Sequence, residues 1–518
     1  EVVLQLREPE QIGDAGLLSD GWDTVERDHL INLLYGNASC IFFDGTVQLT
    51  SADSENAEMI AELIRQCMER LGRFAFVQVV TDTCSVMQAA WNLLMAKFPW
   101  LTATCCGTHV INLELKDFAK IPGVADIISK VAEILRLFWG RKRWPRNRLK
   151  EIIHKNHKGR SFGLYRAKQT RFAGKFREMS RMLRAKADLQ EVVISQDYNN
   201  QRFSSRGHPT APSDEHDDAE ELDAGIGQRV KAIVLDENGF WSKLVIILHV
   251  AMPLIKLLRT LDSNRPVMGK IYDRMYLIGE RLQQLEQKGI PWATEMRKKH
   301  AERWEYLHSP FHAAAYALDP EFMETVGELD GSTQDGLLTV IERLCLRDAI
   351  LAAEDPEVAW LQLTTSSSEV VARTAQAERE FATFQRHEGV FSRESAIQNA
   401  KLMEPAAWWS TYGKHLPLLS SIATTVLAQP GAASAAERNW SVYGQVRTAQ
   451  KSRMKHSTAD KLVYCHESLH LEQKMQSAGW APDVERWDSD TDSNVSEEAD
   501  FTFEGLELTA AQLQSLHV

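Results

Sequence analysis

Residues 74–113 alternate between strand and helix patterns, and this alternation restricts the fold more than any other stretch of the chain. They read FAFVQVVTDTCSVMQAAWNLLMAKFPWLTATCCGTHVINL. The apolar, β-branched run Phe74–Val80 predicts a buried strand. It is followed by Asp82, by a helix capped at Ser85 that runs to about Phe98, and by a second strand, Leu101–Cys105. This order is typical of an open α/β sheet.

Asp82 stands at the carboxyl end of the first of these strands, where open α/β sheets place their ligands. A lone aspartate there more often caps the next helix, so a functional interpretation needs further carboxylates. Asp20 ends the short apolar run in GLLSDGWD at residues 16–23, and Glu437 lies on the alanine-rich stretch AASAAERNW at 432–440. Two aspartates at strand ends and a glutamate on a late helix make the carboxylate set of two-metal phosphoryl-transfer sites.

Five motifs, in order along the chain, resemble the hAT (hobo–Activator–Tam) superfamily of transposases, in its plant and microbial branch. They are SDGW, TDTCS, CCGTHVINL, TRF at 170–172 and AAERNWSVYGQVRTAQKSRM. The resemblance covers most of residues 14–476 and includes Trp304, the stretch 308–320 and the block at 405–409. It implies an α/β plus all-α protein, in which a ribonuclease-H-like mixed sheet is interrupted by a large helical insertion domain.

The order of elements in residues 14–118 agrees with that implication. The patterns predict strand, two strands, helix, strand, helix, strand, helix, with Asp44-Gly45 as the hairpin turn between the second and third strands. In a ribonuclease-H-like sheet the first and fourth strands lie side by side. The resemblance therefore implies that Asp20 and Asp82 are neighbours in space, although 82 − 20 = 62 positions separate them.

The same resemblance divides the chain into four parts. They are the N-terminal part of the catalytic core (1–118), the helical insertion domain (119–425), the C-terminal part of the core with the hAT dimerisation segment (426–476), and an acidic disordered tail (477–518). Within the insertion, the polar and acidic residues 204–228 predict a disordered loop, because they offer almost no apolar surface to bury. The tail is predicted to be disordered for the same reason, since it has ten acids and one basic residue between 479 and 510.

Positive charge is concentrated in residues 141–186. The whole chain carries −12, whereas this segment has 17 basic and 2 acidic residues, or +15, which leaves −27 elsewhere. A solvated surface normally mixes both signs, so the segregation favours a polyanionic partner, namely DNA. The alternative is a basic segment docked on acidic parts of its own chain.

The predicted DNA-binding residues lie in this segment and in a later basic stretch. They are Arg141, Lys142, Arg143, Lys168, Arg171, Phe172 and Lys175, with Arg447, Lys451 and Arg453 after the Glu437 helix. Arg171-Phe172 stands where the family has Arg-Trp, whose indole stacks on flanking DNA. Phenylalanine keeps a π-face but has less area and no N–H donor, which puts efficient handling of hairpin ends in doubt.

The resemblance implies that Asp20, Asp82 and Glu437 are catalytic and hold two Mg²⁺ (or Mn²⁺) ions, since oxygen ligands select hard cations. Four further residues are expected to support the site: Trp22, Cys106, His109 and Arg438. Cys106-x-x-His109 has half of a zinc-site spacing, but no second ligand pair follows at finger spacing. A buried thiol beside a hydrogen-bonded histidine is the simpler interpretation.

Seven scattered cysteines predict a reducing compartment, which for a DNA-processing protein is the nucleus. No run of 18 apolar residues occurs, so no membrane partner is expected. The C-terminal segment implies a homodimer or higher oligomer, although packing within one chain explains the apolar positions of 457–471 nearly as well. A site-specific DNA-binding module of the BED zinc-finger type is expected before Glu1.

Three functional hypotheses follow. The first is a transposase that cuts and joins transposon ends. The second is a domesticated, catalytically silent hAT-derived protein that binds DNA and dimerises as a regulator. The third is a ribonuclease-H-like nuclease without strand transfer. Presence of all three acids favours the first.

Overall fold

The computed structural model of the chain describes residues 14–24, 28–38, 40–49, 56–140, 143–158, 162–167, 173–201, 203, 225–262, 266–290, 292–324, 329–447 and 454–476. Its strands are β1 (Ala15–Asp23), β2 (His29–Asn37), β3 (Cys40–Gln48), β4 (Phe76–Thr81) and β5 (Thr102–Cys105). The helices of the first half are α1 (Ala57–Leu71), α2 (Ser85–Lys97), α3 (Gly107–Lys120), α4 (Pro122–Trp139), α5 (Arg143–Asn156), α6 (Ala173–Arg184), α7 (Lys186–Ile194), α8 (Gln196–Asn200), α9 (Ile226–Leu235) and α10 (Ser242–Leu261). Those of the second half are α11 (Met268–Gln287), α12 (Ala293–Leu307), α13 (Pro310–Leu318), α14 (Gly331–Ala352), α15 (Pro356–Gln362), α16 (Ser368–Gln385), α17 (Glu394–Ala400), α18 (Pro405–Tyr412), α19 (Pro417–Leu427), α20 (Ser434–Val446) and α21 (His456–Gln476).

The five strands form one mixed sheet in the order β3-β2-β1-β4-β5. The pairs β1–β2 and β2–β3 are antiparallel, whereas β4 runs parallel to both β1 and β5. The predicted order of elements and the predicted pairing of the first and fourth strands are therefore confirmed. β4 lies between β1 and β5 and is buried along its whole length, including its polar residues Gln78 and Thr81.

The predicted hairpin turn at Asp44-Gly45 is wrong. Both residues lie inside β3, where the register shifts between Leu33 and Leu34 of β2, so that Asp44 forms a bulge. Its carboxylate is bound by Arg70 of α1, with one contact at 3.1 Å. The turn lies instead after Gly36, which adopts φ +142° and whose hypothetical Cβ would meet the Cys40 carbonyl oxygen at 2.1 Å. Only glycine fits that position.

Several predicted element boundaries shift by a few residues. The strand predicted from Phe74 begins at Phe76, because residues 73–75 form a 3₁₀ turn. Ser85 is the first residue of α2 and not its cap, which is Cys84. The last three residues of the loop predicted at 204–228 belong to α9, and the rest of that loop up to residue 224 lies outside the described residues.

Two late helices cover the sheet that carries the candidate carboxylates. Helix α20 packs on β1 and β2, and α21 packs on β3 and on α20. The buried face of α21 is formed by Ala459 and Val463. Helices α20 and α21 thus complete the core around a sheet whose strands lie near the start of the sequence.

The chain divides into two compact units. Described residues up to 110, together with 257–276 and 304–476, form the first unit; residues 111–256 and 277–303 form the second. The second unit is helical, and in it α4 packs against α5, α6 and α9, while α7 packs against α5 and α9. The predicted insertion at 119–425 is distributed over both units, and the predicted tail at 477–518 lies outside the described residues.

One helical stretch, Glu237–Leu261, is long and apolar enough to cross a membrane, with a mean hydropathy of 1.9. Within it, 67% of the most apolar window is buried inside the protein, as in the core helices of soluble proteins.

Candidate functional site

The register of β1 against β4 places the two candidate aspartates next to each other. Leu18 of β1 pairs with Val80 of β4 in the parallel ladder, and Asp20 and Asp82 each follow their paired residue by two positions. Neighbouring strands lie about 4.8 Å apart, and side chains two positions apart on a strand share a face. Asp20 therefore has Asp82 as its neighbour at the carboxyl edge of the parallel strands.

Asp20 is held by two polar side chains. The Asn32 side-chain oxygen accepts a hydrogen bond from the Asp20 backbone N–H at 3.0 Å, and the Trp440 indole donates to Asp20 Oδ2 at 3.1 Å. Asn32, which is fully buried in β2, also donates from Nδ2 to the Ala436 carbonyl oxygen of α20 at 2.9 Å. One amide thus ties the backbone of Asp20 to the helix that carries Glu437.

Aromatic packing fixes α20 over this part of the sheet. Trp22 stacks on Trp440 with ring centroids 5.3 Å apart, and it meets Tyr443 at 6.1 Å. Such pairs contribute about 0.5–1.5 kcal/mol each beyond their buried area. Glu437 lies one turn before Trp440, in the first turn of α20, where the helix dipole favours a negative charge. It shares a helix face with Trp440, the ring that donates to Asp20.

Residues 106–108 hold the start of α20. The Ala433 N–H donates to Cys106 Sγ at 3.3 Å, and the Gly107 N–H donates to the Gly431 carbonyl oxygen at 3.2 Å. A Cβ at Gly107 would lie 2.9 Å from that oxygen, so this close approach requires glycine. The predicted supporting role of Cys106 corresponds here to a buried thiol under the Glu437 helix.

The other predicted supporting residues lie around the same helix. His109 is half-buried in the first turn of α3. Arg438 of α20 donates to the Asp262 carbonyl oxygen at 2.9 Å. Trp22 packs on α20 through Trp440 and Tyr443.

The turn that presents Asp82 is fixed on both sides. Trp91 donates from its indole to Thr81 Oγ1 at 3.1 Å, and the Tyr306 hydroxyl donates to the Thr83 carbonyl oxygen. Asp82 Oδ1 accepts from the Cys84 N–H at 3.4 Å. Thr83 is buried. It supports the turn through its backbone.

The pKa of Asp20 is raised to about 7. Burial is the main cause, and repulsion by the Glu437 and Asp82 carboxylates adds to it. Burial also raises the pKa of the Cys106 thiol to about 12, and Glu437 contributes to that shift. Glu437 therefore lies close enough to both Asp20 and Cys106 to act on them electrostatically.

The donor set suits a hard divalent cation, since three carboxylates from β1, the β4 end and α20 face the same region. In the described ranges, however, no three Asp, Glu, His or Cys side chains converge tightly enough to hold a metal ion as they stand. Asp20, Asp82 and Glu437 therefore do not form a metal-binding group as they stand. Their mutual repulsion without a cation is consistent with such a gap.

The structure describes only some of the predicted DNA-binding residues. Lys175 pairs with the buried Glu178 at 3.4 Å, and Arg447, with a side chain only 8% exposed, pairs with Asp28 at 3.4 Å. Both are engaged within the chain, and their contact with phosphate stays a prediction. Arg143 is exposed on α5. The remaining predicted residues lie outside the described ranges: Arg141, Lys142, Lys168, Arg171, Phe172, Lys451 and Arg453.

Sequence reasoning missed Asn32 and the role of Trp440. Asn32 is an amide within the apolar run HLINLLYGN, and a buried polar group needs partners. That pattern was the available signal for Asn32. The indole of Trp440 carried no signal of its own beyond its place in the AAERNW motif.

Two regions of the chain match known protein families. Residues 380–469 match the hAT family C-terminal dimerisation region. Residues 4–134 match a family described as a domain of unknown function, DUF659. Among curated proteins, none matches the chain.

Proposed function

Because the chain is an hAT-family transposase-like protein, we propose that it cuts and joins DNA at transposon ends, with Asp20, Asp82 and Glu437 as its catalytic carboxylates. The two family matches support a transposase-related function for the chain as a whole. The observation that carries the specific proposal is geometric: the parallel β1–β4 register sets Asp20 beside Asp82, and Trp440 of the Glu437 helix donates to Asp20 at 3.1 Å. Three acids far apart in sequence thus lie on neighbouring elements of the fold.

The sheet supports a ribonuclease-H-like interpretation of the catalytic core. Three antiparallel strands in sequence order, followed by two that run parallel to the first, make the arrangement that this fold requires. Under this proposal α20 is the last helix of the core and delivers Glu437 to the edge where Asp20 and Asp82 lie.

We assign Asp20, Asp82 and Glu437 as the residues that would hold two Mg²⁺ or Mn²⁺ ions. Such ions, when bound, supply stabilisation of the attacking and leaving oxygens of an in-line displacement at phosphorus. With its pKa raised to about 7, Asp20 would bind a cation in its deprotonated form. Asn32 and Trp440 keep Asp20 aimed at the shared region while it does so.

The substrate under this proposal is DNA, and the site of action is the nucleus. Asp82 and Asp20 are each partly buried at the carboxyl edge of the parallel strands. Under this proposal a phosphodiester meets the accessible part of both side chains.

The match to the hAT dimerisation region supports self-association, and α21 offers a surface for it. Leu462, Cys465 and Leu469 are exposed at positions i, i+3 and i+7 of the helix, on the side opposite the buried Val463. We assign this apolar row to contact with a second copy of the chain. Under this proposal the helix serves both purposes. Its buried face packs on the core of its own chain, and its exposed apolar row contacts the second copy.

Replacing both Leu462 and Leu469 with glutamate is expected to dissociate the oligomer. Burying a leucine in an interface contributes about 1.5–3 kcal/mol, so the double change raises the Kd by more than about 100-fold. Sedimentation velocity over a concentration series measures this. Leu361→Glu is the control, because Leu361 is 80% exposed but lies outside the matched region. An unchanged Kd for the double variant excludes this surface.

The proposed activity is tested with a plasmid that carries the element's terminal repeats. Wild-type protein is expected to cut at the repeats with Mg²⁺ or Mn²⁺ and to be inactive in EDTA. Binding of the plasmid without any cutting would favour the domesticated regulator instead. Cutting that ignores the repeats would favour a nuclease without strand transfer.

A further inference from the structure

The basic segment 141–186 does not present its charge uniformly. Much of it is engaged within the chain: Arg148 pairs with Glu151 at 3.0 Å, Lys155 with Glu191 at 3.5 Å, and Lys186 with Glu237. Arg177 and Arg184 lie over the rings of Tyr165 and Phe162. For these residues the alternative of contacts within the chain is the correct one.

One face of α5 differs from the rest. Arg143, Arg146, Asn147 and Lys150 are all exposed there, at positions i, i+3, i+4 and i+7. With Gly140 they line a cleft of about 440 Å³. Among the described residues no acid pairs with Arg143, Arg146 or Lys150, and Arg146 also rests on the Trp139 ring at 5.0 Å. This face keeps three positive charges that the described chain does not neutralise.

The described aromatic rings of the basic segment contact other residues of the same chain. Trp144 packs on Tyr198 and Phe203, and Phe162 packs on His157. Trp144, Phe162 and Tyr165 are thus engaged by other side chains of the protein. Trp139 is exposed beside this face, and the Arg146 guanidinium lies over its ring. A surface of cations whose adjacent ring is covered in this way favours the phosphate backbone over the bases.

The spacing along α5 suits a row of phosphates. Arg143 and Lys150 are seven residues apart, which is about 10.5 Å along the helix axis. Duplex DNA carries one phosphate per about 3.4 Å of axis on each strand, so the face spans about three phosphates. Asn147 lies between the cations and adds an amide donor.

We propose that the face formed by Gly140, Arg143, Arg146, Asn147 and Lys150 is a binding site for the backbone of duplex DNA, independent of base sequence. The choice of DNA rests on the proposed function of the chain. Binding at this face needs no metal ion, which separates it experimentally from the carboxylate site. It also leaves sequence recognition to other parts of the protein.

The test compares two triple-alanine variants of the full chain that lose the same charge. One replaces Arg143, Arg146 and Lys150; the matched control replaces the ion-paired Arg148, Lys155 and Lys186. Binding to a fluorescent random-sequence duplex is followed by anisotropy in EDTA at several salt concentrations. Equal thermal midpoints of the two variants establish that both are folded.

The first variant is expected to bind at least about tenfold more weakly at 0.1 M salt, and its slope of log K against log salt falls by about 2–3. The control stays near wild type. Equal weakening of both variants, wild-type binding by the first, or absence of wild-type binding overturns the proposal. Wild-type protein that binds the duplex in EDTA but fails to cleave with Mg²⁺ would count against the carboxylate site and not against this face.

Discussion

Asp82→Asn is expected to lower Mg²⁺-dependent cleavage of transposon ends by more than about 100-fold. Loss of a partner that only orients a metal ligand typically costs 10–100-fold, so loss of a ligand itself should exceed that. Asparagine retains the size of aspartate and can still accept the hydrogen bond from the Cys84 N–H. The fold should therefore survive, and the loss should appear in the rate of strand cleavage.

Asp23→Asn is the matched control for this change. Asp23 is also an acid at the end of a strand, but it lies on the face of β1 opposite to that of Asp20 and Trp22. Its side chain is 74% exposed beside His29. Cleavage by the Asp23 variant should match wild type. A comparable loss in both variants, or full activity of Asp82→Asn, would remove Asp82 from the site.

Asn32→Ala is expected to produce the second large effect, on stability and activity together. It removes the partners of the Asp20 N–H and the Ala436 carbonyl oxygen, and each buried group left unpaired costs about 1–3 kcal/mol. The free energy of unfolding should therefore fall by about 2–5 kcal/mol. Because the Asn32 side chain no longer connects Asp20 to α20, the affinity for Mn²⁺ and the rate of DNA cleavage should each fall by about 10–100-fold.

Gln429→Ala separates positioning from mere destabilisation. Gln429 is also a fully buried amide, and it donates to the Asp14 and Thr425 carbonyl oxygens at 3.0 Å each. It contacts Asp14 beside the other end of β1, six residues and about 20 Å along the strand from Asp20. Its loss should lower stability alone. Equal Mn²⁺ affinity of the two variants, each measured while fully folded, would assign Asn32 a purely structural role.

The sheet could be predicted because its order follows from local patterns. Hydrophobic periodicity predicts the strands β4 and β5 and the helix between them. The parallel pairing of β1 with β4 follows from the resemblance. The hairpin at Asp44-Gly45 was mispredicted because a turn-type dipeptide also suits a bulge. Only the tertiary contact with Arg70 of α1 decides between the two.

The candidate site could be predicted as three residues but not as an arrangement. Asp20, Asp82 and Glu437 are visible in motifs, whereas the contacts of Asn32 and Trp440 depend on the packing of α20 against β1 and β2. The basic segment shows the same limit. Its net charge is a property of the sequence, but the division into ion-paired Arg148 and the unpaired face of Arg143 depends on which side of α5 faces the chain.

The central claim is that Asp20, Asp82 and Glu437 share divalent ions. Anomalous diffraction from crystals of the full chain soaked in Mn²⁺ tests it most directly. The account predicts two peaks roughly 3.5–4 Å apart, in contact with carboxylate oxygens of all three residues. Peaks that lie only elsewhere, or a Glu437 side chain turned away from bound Mn²⁺ at Asp20 and Asp82, would contradict it.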